Sequence, residues 1–336
     1  MTPEPICWKT PRVIDAHTHY RGREPIAHYF GNLSLCGHAG GILLAADSIP
    51  QPTPNPAPYA FPFASEFGQP ACAARFRVFG GLAHGAQQVA RGDGRYLAPQ
   101  VGALRAAGYD GIKMMEGSPY YKNELPYALD HEYFRPFWDA AEAAGMPITM
   151  HLANPADYWQ RDDMAATHRD AEPQEEYFRQ AEAVLAAHPR LRITFAHFMF
   201  MGPTLDRLAR LFARYPQMRV DLAPGHEYLY YLSDDPVAAR LFFIRWQDRI
   251  LYGTDVSDSN SASLARAKAE QVRLFLETEG AFQSPYALAL GKPGMAGSNG
   301  RVELQGLNLP VDVLERIMGG NVEAWLGKGV RNKESV

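Results

Sequence analysis

His17 and His19 stand one residue apart in Val13-Ile14-Asp15-Ala16-His17-Thr18-His19-Tyr20. The Val-Ile start suits a buried strand, and on a strand residues two apart project to the same face. Both imidazoles would then point the same way, as half of a divalent-metal site. A histidine pair at a strand end can also be merely hydrogen-bonded, so the reading depends on where further donors fall. His151 ends the apolar run Ile148-Thr149-Met150, His197 lies in the run Arg192–Phe198, and Asp255 closes Ile250-Leu251-Tyr252-Gly253-Thr254. The end of an apolar run is a costly place for a titratable group without a partner.

The elements that must position these residues alternate along the chain. Short apolar runs predict strands at Val13–His19, Gly41–Ala46, Phe76–Ala83, Gly111–Met115, Ile148–Leu152, Arg192–Phe198, Met218–Leu222 and Ile250–Asp255. Helical spacing with glycine or proline stops falls between them, at Ser65–Ala74, Tyr96–Ala107, Phe134–Ala144, Glu175–Ala187, Thr204–Tyr215, Val237–Trp246 and Ser263–Glu279. The six prolines of Pro50–Pro62 read as an extended surface crossing within one domain. Strand and helix in this rhythm imply a parallel α/β fold, and the count of eight strands favours a closed (β/α)8 TIM barrel. Gly291–Gly306 reads as a loop, Pro310–Leu326 as a terminal helix packed outside the barrel, and the polar last ten residues as frayed. The 336 residues are thus read as a single domain, 1–336.

In such a barrel the active site lies at the carboxyl ends of the strands. His17, His19, His151, His197 and Asp255 would all meet there. Histidines and a carboxylate form an N/O donor set suited to Zn²⁺ or a related first-row ion, with room for a water. Composition excludes other classes. The net charge of −4 comes without a basic run, which argues against a nucleic-acid surface. Cys7, Cys36 and Cys72 form no C-x-x-C pair and fit a reducing cytosol. The first residues lack the pattern of a secretory leader, and no stretch reaches the ~18 apolar residues of a membrane span. A cytoplasmic protein is expected.

His17-Thr18-His19, His151, His197 and Gly253-Thr254-Asp255, together with the closing Gly319-Gly320-Asn321-Val322-Glu323-Ala324-Trp325, resemble the amidohydrolase superfamily. The likeness is to its amidohydrolase-related branch, which includes nonoxidative decarboxylases and lactone hydrolases. It implies that His17, His19, His151 and Asp255 hold one metal ion, Zn²⁺ before Mn²⁺. It also implies that His197 polarises substrate or moves a proton, and that Asp255 acts as general base toward metal-bound water. Some relatives hold two ions bridged by a carboxylated lysine or a glutamate from the fourth strand, where this chain has Lys113 and Glu116. The expectation here is one ion, with Lys113 an ammonium that contacts an anionic group of the substrate or pairs with a neighbouring acid. In the sixth motif, Phe198-Met199-Phe200-Met201 follows His197 and implies an apolar wall beside the metal.

Arg21 and Arg23 follow the first strand, where a guanidinium could clamp a carboxylate. Glu116 is read either as a substrate contact or as an ordinary loop residue. His84 and His226 follow the third and seventh strands and read first as structural, and His28, His38, His131, His168 and His188 have no catalytic context. Tyr120, Tyr121, Tyr158, Trp159 and the run Tyr228–Tyr231 could floor a site for a flat substrate.

The first functional reading is a metal-dependent hydrolase of a small carboxylate-bearing ester, lactone or amide. The second is a nonoxidative decarboxylase of an aromatic or unsaturated acid, which needs the same ligands. The third is a non-catalytic metal-binding barrel. Such barrels often pair, so a homodimer is the assembly to test for, although no surface stripe marks an interface.

Overall fold

The structure, a computed structural model, describes residues 9–10, 12–45, 75–160, 172–224, 227–291 and 300–327. Nine strands form one parallel sheet: β1 Val13–His19, β2 His38–Leu44, β3 Phe76–Gly80, β4 Gly111–Gly117, β5 Ile148–Leu152, β6 Ile193–Phe195, β7 Met218–Asp221, β8 Ile250–Leu251 and β9 Val256–Ser257. Their order is β8-β7-β6-β5-β4-β3-β2-β1-β9. All seven residues of β1 are buried, as a parallel strand covered on both faces requires.

The last two strands are parts of one stretch. β8 pairs with β7, and β9 pairs with β1 through Thr18 and Val256. Backbone bonds from Ala16 N to Tyr252 O and from Asp255 N to His17 O, both 2.8 Å, carry β1 across the gap between them. The ring is therefore closed with eight staves, a TIM barrel whose eighth stave is broken in the middle.

The left-handed backbone of Asp255 (φ 55°) lies within the break. A Cβ on Gly253 would stand 3.0 Å from His17 Cβ and 3.1 Å from Ala223 N, so a side chain there would need its neighbours to give by a few tenths of an ångström.

Helices Arg135–Ala144, Gln174–Ala187, Leu205–Arg214, Pro236–Arg245 and Ala262–Glu277 stand where their spacing predicts them, within a residue or two. Leu205–Arg214 buries Leu208, Leu211 and Phe212 on one face, the stripe a surface helix turns to its core. The main apolar core runs from β4 through β7 to these helices and includes Trp138, Tyr177, Phe195 and Phe243. No helix among the described residues is long and apolar enough to cross a membrane.

Several expected boundaries are corrected. β6 stops at Phe195, short of Phe198, because the backbone turns left-handed at His197 (φ 56°) and stays so through Phe200 (φ 52°). β3 stops at Gly80, and short helices at Ala86–Arg91 and Glu227–Asp234 fill stretches whose spacing is too brief to declare them. After the helix ending at Glu277, an antiparallel pair forms from β10 Glu279–Gln283 and β11 Glu303–Leu307, so part of the expected glycine-rich loop is strand.

The terminal helix is broken as well. It runs as Val311–Glu315, a π turn at Arg316–Gly320 and Asn321–Leu326. A Cβ on Gly319 would lie 3.2 Å from Ile14, and Ile317 O accepts from Tyr252 N at 3.0 Å, so this segment presses against β1 and β8. The expected helix Ser65–Ala74, the proline stretch, His168 and His226 lie outside the described residues.

Candidate metal centre

Three donors meet at the carboxyl ends of β1 and the eighth stave. His17 Nε2 lies 3.1 Å from His19 Nε2, and Asp255 Oδ1 lies 3.2 Å from His19 Nε2 and 3.7 Å from His17 Nε2. A point equidistant from the three atoms is about 1.9 Å from each, close to the ~2.0–2.2 Å bonds that His and Asp make to zinc. The contact between the two ring nitrogens is a hydrogen bond when one imidazole carries its proton on Nε2, and a pair of lone pairs open to an ion when neither does. The set fits a divalent cation.

The surrounding hydrogen bonds aim these atoms. Asp221, the last residue of β7, takes His17 Nδ1 at 2.8 Å, which leaves His17 Nε2 as the lone-pair nitrogen. Its other oxygen accepts from the backbone N–H groups of His197 (3.0 Å) and Ala223 (3.1 Å). Asp15 accepts from the backbone of His17 and of Thr254 and from the Thr254 hydroxyl, tying β1 to the eighth stave. In Gly253-Thr254-Asp255, the glycine thus permits close approach, the threonine anchors the stave to β1 and the aspartate offers an oxygen to the ion.

Burial holds the histidines neutral. It lowers His17 far below the ordinary imidazole value, with Lys113 adding to the effect. Burial also lowers His197, helped by His151 and His17, and it brings His151 to about 4. Neutral imidazole is the form that binds metal. Burial alone would raise Asp255, but Lys268 and the two histidines outweigh it and hold the carboxylate well below its usual range.

Strain gathers here. Of the seven non-glycine residues with positive φ among the described residues, Ala153, His197, Phe198, Met199, Phe200 and Asp255 follow β5, β6 or the eighth stave. Each costs about 1–2 kcal/mol for a side chain bearing Cβ. The four consecutive ones place His197 beneath Phe200, whose ring stacks on it at 5.4 Å. His197 Nδ1 lies 3.2 Å from Ala223 O and donates to it, so Nε2 is the nitrogen with a lone pair. Its ring centroid is 5.1 Å from that of His17 and 5.0 Å from that of His151. Of the apolar wall expected of Phe198–Met201, Phe200 lies against His151 and His197, whereas Phe198 stacks on Tyr228 and Phe243 in the main core.

His151 borders the three-donor group without joining it. Its Nε2 lies 3.1 Å from Asn154 Oδ1. Lys113 is 2 % exposed and carries no hydrogen bond or ion pair with any described residue. Burial lowers it to about 8, against the pull of Asp221, Asp255 and Glu116. A register shift between Met114 and Gly117 interrupts the β4 alternation, as bulges beside active sites do, and lies next to Glu116. Glu116 Oε1 meets His84 Nε2 at 2.9 Å, and His84 Nδ1 meets the Tyr133 hydroxyl at 2.8 Å. Glu116 Oε2 is buried with no hydrogen-bond partner among the described residues. Glu116 is therefore a strand residue rather than an ordinary loop residue. Arg21 lies exposed after β1, near enough for its charge to act on Lys113.

Tyr228 and Tyr230 do not floor the site. They are buried, with the Tyr228 hydroxyl donating to Leu222 O at 2.6 Å. Sequence reasoning missed Asp15, Asp221 and Lys268. Asp15 and Asp221 carried one usable signal, a carboxylate inside an apolar strand. Lys268 carried none, since a lysine on a long helix reads as solvated.

A family description of amidohydrolases matches residues 14–328. A search of curated protein sequences finds no match. Among solved structures, the chain is similar to 5-carboxyvanillate decarboxylase from Novosphingobium aromaticivorans in complex with manganese (TM-score 0.55, 14% identity, 95% of this chain and 96% of that one). It is similar to an uncharacterised TIM-barrel protein from Bordetella bronchiseptica (TM-score 0.53, 15% identity, 94% and 99%). It also resembles 2,6-dihydroxybenzoate decarboxylase from Rhizobium (TM-score 0.51, 16% identity, 94% and 99%). At these identities the likeness is one of fold.

Proposed function

The chain belongs to the amidohydrolase family, and from that premise we propose a metal-dependent hydrolase that cleaves a small carboxylate-bearing ester, lactone or amide. One observation carries the reading: a three-donor group, buried at His17 and His19 and partly exposed at Asp255, lies near Lys113, a buried lysine that no carboxylate contacts among the described residues. A divalent ion supplies a Lewis acid there and lowers the pKa of water toward neutrality.

The protein's own groups do the rest. His17 Nε2, His19 Nε2 and Asp255 Oδ1 would hold one ion, Zn²⁺ before Mn²⁺, with His151 the candidate fourth ligand. Lys113 pairs with the substrate carboxylate, which relieves an ammonium buried without a counter-ion. Arg21 adds positive charge at the rim. Glu116 offers its unpartnered oxygen to an O–H or N–H of the substrate. His197, with Nδ1 engaged, accepts and returns a proton at Nε2. Asp255, its side chain 31 % exposed, takes the proton of the attacking water. Phe200, which lies against His151 and His197, excludes bulk water.

Nonoxidative decarboxylation is the second reading, and one contact favours it. Asp255 Oδ2 lies 3.3 Å from Lys268 Nζ, and an ammonium on that oxygen weakens the carboxylate as a base. A reaction in which His197 Nε2 first takes a proton from a substrate hydroxyl and then returns it to carbon as carbon dioxide leaves does not need that base. The test is to load the protein with zinc or manganese and supply aryl esters, lactones and hydroxybenzoic acids. Acid release in a pH-stat supports hydrolysis, and trapped carbon dioxide supports decarboxylation. Neither product from protein carrying one equivalent of ion would leave a non-catalytic metal-binding barrel.

A further inference from the structure

We propose that Lys268 is a positioning residue that restricts Asp255 to ligation through one oxygen, an inference that rests on the metal reading above. The two carboxylate oxygens of Asp255 have different neighbours. Oδ1 faces His19 Nε2 at 3.2 Å and His17 Nε2 at 3.7 Å, while Oδ2 faces Lys268 Nζ at 3.3 Å. The same ammonium donates to the Asp255 carbonyl at 2.5 Å.

The lysine is itself fixed. It is buried on the helix Ala262–Glu277, and its Nζ lies 5.7 Å from the centroid of the Tyr286 ring. Tyr286 belongs to the short helix Pro285–Leu290, whose capping residue Ser284 donates to Gln271 on the helix that carries Lys268. An ammonium has three donors, and two of them are spent on one residue. Asp255 needs that hold, because its backbone is left-handed (φ 55°) and its N–H is already committed to His17 O. With N–H, carbonyl and Oδ2 all tied, the carboxylate cannot rotate to offer both oxygens. A carboxylate that binds through one oxygen keeps the coordination number low and leaves a position open for substrate or water.

Cobalt(II) is the probe, because its visible bands lose intensity with each ligand added, from four- through five- to six-coordinate sites. Parent, Lys268→Met and Lys268→Arg are loaded with cobalt, and absorption per bound cobalt is compared, with circular dichroism reporting the fold. Lys268→Met is expected to lose several-fold of the band intensity, and Lys268→Arg, which keeps charge and donors, to recover most of it. If Lys268→Met does not fold, Lys268→Gln, which removes the charge, carries the same comparison. A folded, cobalt-loaded neutral variant with the parent spectrum overturns this inference and leaves the metal reading standing. A parent that takes up no cobalt overturns both.

Discussion

The two mouths of the barrel treat polar side chains in opposite ways. At the amino ends of the strands, several amide and charged groups are completed by the protein, although Trp325 Nε1 and Arg219 Nε are buried without a hydrogen-bond partner among the described residues. Asn321 Nδ2 donates to Gln247 O (2.6 Å) and Ile250 O (2.8 Å), Arg75 donates to the carbonyls of Ala39 and His38, and Arg12 pairs with Glu323 at 2.6 Å. Val322 and Trp325 pack there with Ile14, Ile42, Leu44 and Phe79. At the carboxyl ends, His17 Nε2 faces another imidazole, and the Lys113 ammonium and Glu116 Oε2 are buried without that completion. A buried polar group left open is costly, by about 1–3 kcal/mol, so a fold that keeps several at one mouth and strains its backbone to do so points to a ligand. The other mouth is built for stability.

Variants can break that division. The largest effect is expected from His17→Ala or Asp255→Asn: elemental analysis should show the ion lost and turnover should vanish, while the melting temperature of the metal-free protein moves little. If either variant kept one equivalent of metal, the open mouth would not be the ion's site. Next comes Trp325→Ala at the closed mouth, expected to cost about 3–5 kcal/mol in denaturant unfolding and to leave metal stoichiometry per folded molecule unchanged. Loss of metal in that variant would erase the contrast.

A smaller change tests the support beneath the donors. Asp221→Asn should weaken metal binding about 10–100-fold in competition with a chelator, because His17 loses the acceptor that sets its tautomer. The smallest effect concerns Lys113, whose buried ammonium titrates near 8. Below that pH it is charged and pairs with a carboxylate. As pH rises through about 8 the charge is lost, so KM for an anionic substrate should climb several-fold, and Lys113→Met should abolish the climb. A flat KM profile in the parent would remove Lys113 from the substrate site.

Much of the barrel was readable in one dimension. The parallel strands are short, apolar and bounded by glycine, proline or a charge, so all eight staves were visible as runs, and the histidines stood out at their ends. The eighth was visible as a run but not as a broken strand, since the left-handed turn at Asp255 that lies in the break leaves no mark in the composition. The end of β6 was misplaced for a related reason. Phe198, Met199 and Phe200 have the composition of a strand, and tertiary packing bends them left-handed and buries them beside His197.

What the sequence by itself determined is the inventory and the rhythm: which side chains can ligate an ion, and the alternation that delivers them to one end of a barrel. Periodicity is local, so local residues reveal it. Only the tertiary structure decided that Asp221 orients His17, that Asp15 ties β1 to the eighth stave and that Lys268 takes one oxygen of Asp255. The first two contacts join residues more than two hundred positions apart, and the third joins a helix to a strand end through a left-handed turn. Such contacts are set by how the closed ring brings distant backbones together, and no spacing within the chain encodes them.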